Sequence, residues 1–171
     1  PPPRGEKPID WMLLTNEPVL DLDDAWRVVE WYERRWVVEE YHKAMKTGCQ
    51  IEDIQFTAVE RYGSASALLS GVALTLLNLR DASRRPDAST RRAVTLFALE
   101  YVEVLSFWRY GKLRCDLTIH DFFFALARLG GHQNRKSDHR PGWLVLWRGW
   151  MKLQYTLDGY LAVKRRKCGQ T

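Results

Sequence analysis

Residues 32–49 read YERRWVVEEYHKAMKTGC and predict a long helix that carries charges on a face where a core stripe is expected. At about 100° per residue, six polar side chains fall within an arc of roughly 100°. The apolar residues, among them Val37, Val38, Ala44 and Met45, cluster on the opposite side, so we expect the core to lie behind them. The six side chains of this charged arc are Tyr32, Arg35, Glu39, His42, Lys43 and Lys46.

The charged arc has two interpretations. Arg35 and Glu39 are four residues apart, as are Glu39 and Lys43, a spacing typical of solvated ion pairs worth about 0.3–0.5 kcal/mol each. The second interpretation is functional, because the arc holds one acid among three bases and a histidine. Such an acid keeps its charge and binds a metal ion, while the cations bind phosphates. The stretch then ends at Thr47 and Gly48, which indicate a helix stop.

The remaining elements are placed by the proline, glycine and acidic residues along the chain. A short apolar run over residues 9–15, entered from a proline-rich segment, predicts a strand. Asp23 or Asp24 is the expected N-cap of the long helix, which should reach about Lys46. The polar, basic break near Pro86 is the natural domain boundary. Further helices are predicted over residues 57–83 and 118–129, and residues 93–110 are predicted to form one helix or two short ones.

The spacing within residues 32–49 resembles that of a known family. Tyr32, Arg35, Glu39 and Lys46 match the Y-(2)-R-(3)-E-(6)-K signature of bacterial insertion-sequence transposases with a DDE catalytic triad. Other segments near both ends of the chain are also similar to cut-and-paste members of this family, whereas residues 84–117 show little similarity. The similar segments are residues 11–19, 127–131, 146–150 and 157–162.

The resemblance implies a mainly α chain in two parts. Residues 1–85 would be the C-terminal part of an RNase H-like α/β catalytic domain, with one strand, the catalytic helix and a covering helix. Residues 86–171 would be a helical C-terminal dimerisation domain.

The resemblance also assigns roles to the charged arc. Glu39 would be the third catalytic carboxylate and a metal ligand, in a site for two Mg²⁺ or Mn²⁺ ions that upstream Asp residues complete. Trp11 would stack on a base flipped from the transposon end, although a Trp that opens an apolar strand is also typical of core packing. The residues implied to bind transposon-end DNA are Trp11, Tyr32, Arg35, His42, Lys43 and Lys46.

The implied activity is metal-dependent phosphodiester cleavage and strand transfer at transposon ends. The two Asp ligands would lie on strands ahead of Pro1, and because the chain opens without Met it looks like a piece of a longer gene product. We therefore expect this chain alone not to cleave DNA. Two alternatives stay open. One is a non-catalytic dimerisation module that inhibits or regulates a full-length transposase, and the other is a basic helical protein whose charged arc is only a ladder of ion pairs.

Composition limits the classes of protein that fit. A chain of 171 residues with 46% hydrophobic residues can bury one good core or two small ones. The net charge of +5 favours a polyanionic partner. Three widely spaced cysteines without a C-x-x-C pair favour free thiols in a reducing cytosol over a zinc site, and the resemblance would place the protein in the bacterial cytoplasm with the nucleoid. The most apolar stretch, residues 65–77, is too short to span a bilayer and predicts a core helix, so no membrane partner is expected.

The C-terminal segment shows a seam of large apolar residues at three- and four-residue steps. Such a seam faces either the helices of its own domain or a second copy of the chain. The resemblance favours the second interpretation, because the corresponding helix pairs two transposases in the family. The residues predicted for this homodimer contact are Trp143, Leu146, Trp147, Trp150, Leu153, Leu157 and Leu161.

Overall fold

The structure, a computed structural model, describes residues 12–168 together with Gly5, Pro8 and Asp10, with side chains as far as Arg165. Over these residues the chain is helical and contains no strand, which confirms the mainly α class. The α-helices are α1 (Leu22–Lys43), α2 (Val59–Ala82), α3 (Leu99–Tyr110), α4 (Ile119–Leu129) and α5 (Trp143–Cys168). Shorter turns are the π-helical turn Ala44–Gly48 and the 3₁₀ turns Ile51–Asp53, Pro86–Ser89 and Ala93–Thr95.

The chain divides into two compact units, Pro1–Glu39 and Glu40–Thr171. The division falls within α1, whose last residues belong to the second unit. Pro86, where the sequence predicts a domain boundary, begins a 3₁₀ turn inside the second unit. The boundary near Pro86 stays a prediction.

The first unit begins α1 earlier than the sequence indicates. The helix starts at Leu22, and Asp21 caps it, because its Oδ1 accepts a hydrogen bond of 2.8 Å from the backbone N–H of Asp24. Asp24 in turn accepts from the N–H of Leu20 at 3.1 Å. The expected N-cap at Asp23 or Asp24 is therefore wrong, since both lie in the first turn, where acids favour the positive end of the helix dipole.

Of the strand predicted over residues 9–15, the structure describes Asp10 and residues 12–15. These residues do not form a strand. A strand needs a neighbouring strand to satisfy its backbone groups, and no described residue provides one. Met12 and Leu14 are 90% and 94% exposed, so the alternating apolar pattern packs against nothing described. Ile9 and Trp11 lie outside the described residues.

In the first unit, α1 buries no residue. Val37 and Val38 are 52% and 54% exposed, so the expectation that they face the core is wrong in this structure. Large side chains nearer the start of the helix, Trp26 and Trp31, are also about half exposed, at 59% and 48%. The reason is that the described residues of this unit supply no second element against which an apolar helix face packs.

The core of the second unit is built by α4, which packs against α3 and α5. The Phe97 and Phe122 rings stack with 4.5 Å between their centroids, and Tyr101 stacks on Trp150 at 5.4 Å. At its N-terminus α4 is capped by Thr118, whose hydroxyl accepts from the backbone N–H of Asp121 at 3.1 Å. The predictions of helix 118–129 and of a helix ending near Gly111 are confirmed.

Two glycines allow α5 to approach the end of α4 closely. A Cβ atom on Gly149 would collide with the carbonyl oxygen of Leu126, and one on Gly130 would collide with that of Val145. Both sites therefore hold a residue without a side chain because backbone lies against backbone. By contrast, a Cβ on Gly159, further along α5, would meet no atom within 4 Å.

The predicted seam of α5 faces helices of its own unit. Trp143, Leu146, Trp150, Leu153 and Leu157 are at most 6% exposed and belong to the core. Trp147 and Leu161 are partly buried and pack against the same core. Of the two interpretations of the seam, the structure therefore shows contact with the chain's own helices, and pairing with a second copy stays a prediction.

The helix predicted over residues 57–83 is α2, but only its second half is buried on one side. Leu76 and Leu79 are buried, whereas Leu68 is 72% exposed and Leu74 is 48% exposed. With 24 residues and a mean hydropathy of 1.3 in its most apolar window, α2 meets the length and composition of a membrane span. The length argument made on residues 65–77 is therefore wrong, although core helices of soluble proteins meet the same test.

Candidate nucleic-acid interface

In the first unit, three of the four signature residues, Tyr32, Arg35 and Glu39, lie on the solvent-exposed surface of α1. Arg35 Nη1 donates to Glu39 Oε1 at 2.8 Å, and the two side chains are 46% and 54% exposed. The Arg35 guanidinium also lies 5.5 Å from the ring centroid of Tyr32 and 5.1 Å from that of Trp36. These contacts bring Tyr32, Arg35 and Glu39 together in one surface cluster, and an exposed pair of this kind contributes only about 0.3–0.5 kcal/mol.

The adjacent acid, Glu40, has a different environment in the second unit. It pairs with Arg80 of α2, and these side chains are 33% and 17% exposed. Burial raises the pKa of Glu40, but the hydrogen bond and charge of Arg80, with help from Lys43 and Trp143, outweigh burial and lower that pKa below its usual value. Within the second unit, Glu40 therefore joins the last turn of α1 to α2, whereas Glu39 makes only an exposed pair.

The described residues do not by themselves form the two-metal site that the resemblance implies. No group of three His, Cys, Asp or Glu side chains that would hold a metal ion occurs among them. Glu39 supplies one carboxylate, and the side chain that contacts it is the cation Arg35. Glu39 thus fits one ligand of such a site and no more.

The π-helical turn changes the direction of the last part of the predicted helix. The α-helix ends at Lys43, and the N–H of Cys49 donates to the carbonyl of Ala44 at 2.9 Å, a bond that spans five residues. The chain thus stays helical past Lys46 and ends its helix at Gly48, as the sequence predicts, but the last five residues form a π-helical turn in which Ala44 and Met45 are buried and Gly48 lies against Trp143. The spacing of about 100° per residue therefore does not apply to Lys46.

Two residues of the second unit that are predicted to bind phosphate, His42 and Lys46, are exposed, and Lys46 is already paired with an acid. Lys46 Nζ lies 2.8 Å from Glu52 Oε1, and this hydrogen bond raises the pKa of Lys46. His42 is exposed, and its ring centroid lies 5.4 Å from that of Tyr41, which is itself fixed by a 2.7 Å hydrogen bond to Ser70. A phosphate at Lys46 would have to compete with Glu52. Trp11 lies outside the described residues.

Lys43 lies in a cationic pocket that sequence reasoning did not assemble. The pocket has a volume of about 280 Å³ and belongs entirely to the second unit. Its basic side chains come from three parts of the chain: the end of α1, the end of α2 with the residues after it, and the loop before α5. They are Lys43, Arg80, Arg84 and Arg140. No local sequence pattern links Arg84 to Arg140, because more than 50 residues separate them. We call these four residues the cationic pocket.

No protein-family model matches the chain. Membership of the transposase family is therefore a proposal that rests on the signature residues.

Proposed function

We propose that this chain is the C-terminal half of a DDE transposase of the insertion-sequence family, and that it binds transposon-end DNA. The observation that carries the proposal is the surface cluster in which Arg35 contacts Glu39, Tyr32 and Trp36 on an exposed helix. A carboxylate and a guanidinium with rings beside them combine the groups that contact a metal ion, a phosphate and a base. In the whole protein the activity would be DNA cleavage and strand transfer.

The proposal gives the two parts of the charged arc separate tasks. Glu39 supplies one of three carboxylates for two Mg²⁺ or Mn²⁺ ions, and two Asp residues from polypeptide ahead of Pro1 supply the others. Tyr32, Arg35, His42, Lys43 and Lys46 bind DNA, with Trp11 stacked on a base. Because Glu39 alone does not complete the metal site, the purified chain is expected not to cleave DNA.

The exposed tryptophans of α1, which point to different sides of the helix, also support the proposal. Trp26, Trp31 and Trp36 are 59%, 48% and 59% exposed, an unusual amount of uncovered tryptophan for one helix. In an RNase H-like domain a catalytic helix of this kind packs on a sheet. We accordingly propose residues 1–85 as part of that domain and residues 86–171 as the helical dimerisation domain.

The first test measures binding of a labelled DNA duplex to this chain by fluorescence anisotropy over a salt series. We expect Arg35→Glu and Lys46→Glu each to weaken binding about tenfold and to reduce the dependence of log K on log salt by about one. The matched control is Arg34→Glu, which places the same charge change on an exposed neighbour in α1. Equal weakening by all three variants would reduce the signature to a net-charge effect.

The second test examines Glu39 in the full product of the reading frame that encodes this chain. Glu39→Gln should abolish cleavage of transposon-end DNA while end binding is retained, because the amide keeps the size of the side chain and loses its charge. Glu33→Gln, an exposed acid on the same helix, is the control. If Glu39→Gln cleaves at the control's rate, Glu39 is not a metal ligand.

The alternative function, a dimerisation module that inhibits a full-length transposase, is favoured by one observation. Phe107, Trp108 and Val163 stay 58%, 44% and 57% exposed beside an apolar groove of about 660 Å³ between α3 and α5. The predicted seam is buried, so a homodimer would have to use a surface such as this one. Sedimentation velocity of the chain tests the homodimer, and addition of the chain to an active transposase tests inhibition.

A further inference from the structure

The cationic pocket is the strongest feature of the second unit that the signature does not explain. Three of its side chains are guanidiniums, whose planar arrays of N–H donors match the oxygens of a phosphate. Its wall is aromatic, since Arg80 lies 4.6 Å from the ring centroid of Trp143 and Arg140 lies 5.5 Å from that of Phe123. These rings fix the guanidinium planes without using their hydrogen-bond donors.

Two of the pocket cations are anchored by the fold. Arg80 pairs with Glu40, and Arg140 Nη2 donates to the Ser83 carbonyl at 3.1 Å and to its hydroxyl at 3.0 Å. Neither set of bonds uses all the donors of a guanidinium. Arg80 and Arg140 are therefore held in place while retaining N–H groups for a ligand.

The other two cations have no compensating acid in contact. Neither Arg84 nor Lys43 makes a side-chain hydrogen bond or close ion pair with any residue in the part of the chain that the structure describes. Glu40 is the acid that contacts the pocket cations, and Arg80 pairs with it. Four cations thus face one carboxylate, which is hydrogen-bonded to Arg80 and also interacts with Lys43 by charge, and the excess of positive charge favours an anion.

The backbone adds to this field. Gly142 and Trp143, which line the pocket, form the first turn of α5, where the N–H of Leu146 bonds to the carbonyl of Gly142 at 3.2 Å. The start of this 26-residue helix contributes the positive end of its dipole. Side chains and helix therefore favour the same kind of ligand.

We propose that Lys43, Arg80, Arg84 and Arg140 form a binding pocket for one backbone phosphate of a DNA strand. This inference rests on the proposed function, because DNA binding is what makes the phosphate a nucleic-acid phosphate. It extends the interface beyond α1 to α2 and to the loop before α5. Arg80 and Arg140 position the pocket, and Lys43 and Arg84 provide most of its free charge.

The test uses Arg84, because replacing Arg80 or Arg140 would also remove contacts that hold the fold. Arg84→Glu is compared with Arg85→Glu in the 171-residue chain. Both residues are exposed and adjacent, but Arg85 does not line the pocket. Circular dichroism and the unfolding midpoint establish that both variants are folded like the parent chain.

We expect Arg84→Glu to weaken duplex binding about tenfold more than Arg85→Glu. It should also reduce the slope of log K against log salt by about one more than Arg85→Glu does, which corresponds to the loss of one phosphate contact. Equal weakening by the two variants would overturn the pocket, since only net charge would then matter. A third outcome separates free phosphate from DNA. If inorganic phosphate raises the unfolding temperature of the parent chain and of Arg85→Glu but not of Arg84→Glu, and Arg84→Glu does not weaken duplex binding, the pocket binds free phosphate and the DNA inference is wrong.

The result is separable from the test of the proposed function. Loss of binding in the Arg35 and Lys46 variants, with no selective effect of Arg84→Glu, would keep the proposed function and remove the pocket. A selective effect of Arg84→Glu without one at Arg35 or Lys46 would keep the pocket and remove the signature-based function. A parent chain that binds no duplex would overturn both.

Discussion

The helices α1 and α5 have similar sequences in one respect and opposite environments. Both are long, with 22 and 26 residues, and both carry tryptophans and aliphatic residues at helical spacing. In α5, Trp143 and Trp150 are 5% and 6% exposed, whereas Trp36 of α1 is 59% exposed. Apolar periodicity shows which face of a helix is suited to burial. That face is buried only where other elements of the chain pack against it.

The largest effect in the second unit should come from Gly149→Ala. The added methyl group would collide with the carbonyl oxygen of Leu126, so α5 must move away from α4. We expect a loss of roughly 3 kcal/mol or more in the free energy of unfolding, measured by urea denaturation. Gly159→Ala is the control on the same helix, and it should be neutral or stabilise by up to about 1 kcal/mol because its site is open. Similar losses for both would mean that α4 and α5 are not in close contact.

Leu153→Ala should cost a comparable amount, about 2–5 kcal/mol, because Leu153 is 1% exposed and its removal leaves a cavity. Tyr155→Ala, at a site 69% exposed on the same helix, should change the free energy of unfolding by under about 0.5 kcal/mol. If the seam packs in its own unit, the unfolding midpoint is independent of protein concentration for the parent chain and for both variants. A midpoint that rises with concentration and is lowered by Leu153→Ala would place the seam between two copies.

A matched valine pair compares the two environments directly. Val102 in α3 is 0% exposed and Val38 in α1 is 54% exposed. Val102→Ala should therefore lower the free energy of unfolding by roughly 2 kcal/mol, whereas Val38→Ala should change it by under about 0.5 kcal/mol. A large loss at Val38 would show that the apolar face of α1 is covered in solution.

The smallest effect is expected from Glu40→Gln and depends on pH. The folded state lowers the pKa of Glu40 below its ordinary value of 4.5, so its ion pair contributes stability above that pH, and the contribution is lost as pH falls through the folded pKa. The variant should lose about 1 kcal/mol or less at pH 7 and show a shallower fall of stability in acid. Acid titration of the unfolding midpoint measures this, with Glu33→Gln, the same change at an exposed acid of α1, as the control.

Sequence reasoning predicted the helices of the second unit well because their local signals agree with their packing. Thr118 caps α4 and Gly111 ends α3 in the left-handed conformation, with φ 69°, and both features are local. The spacing of its large apolar residues predicts the seam of α5, but the same spacing occurs in helices that pack in their own core and in helices that pair with a second chain. The choice between them depends on distant helices that no window of sequence contains.

The candidate site was predicted where residues are close in sequence and missed where they are not. Arg35 and Glu39 are one helical turn apart, so their contact follows from helix geometry. The pairing of Lys46 with Glu52 depends on the π-helical turn, and the cationic pocket joins residues as far apart as Lys43 and Arg140. No spacing in the sequence predicts either the Lys46–Glu52 pair or the cationic pocket.

The π-helical turn Ala44–Gly48 has a consequence for insertions and deletions. Such a turn contains one residue more than an α-helical path over the same rise, and it sets the angle at which the chain leaves α1. Removing one residue here would restore α-helical bonding and rotate the following chain by about 100°, which would take Gly48 away from Trp143, whose Cβ lies only 3.5 Å from where a Cβ on Gly48 would be. The number of residues in this turn is thus more tightly constrained than their chemical identity.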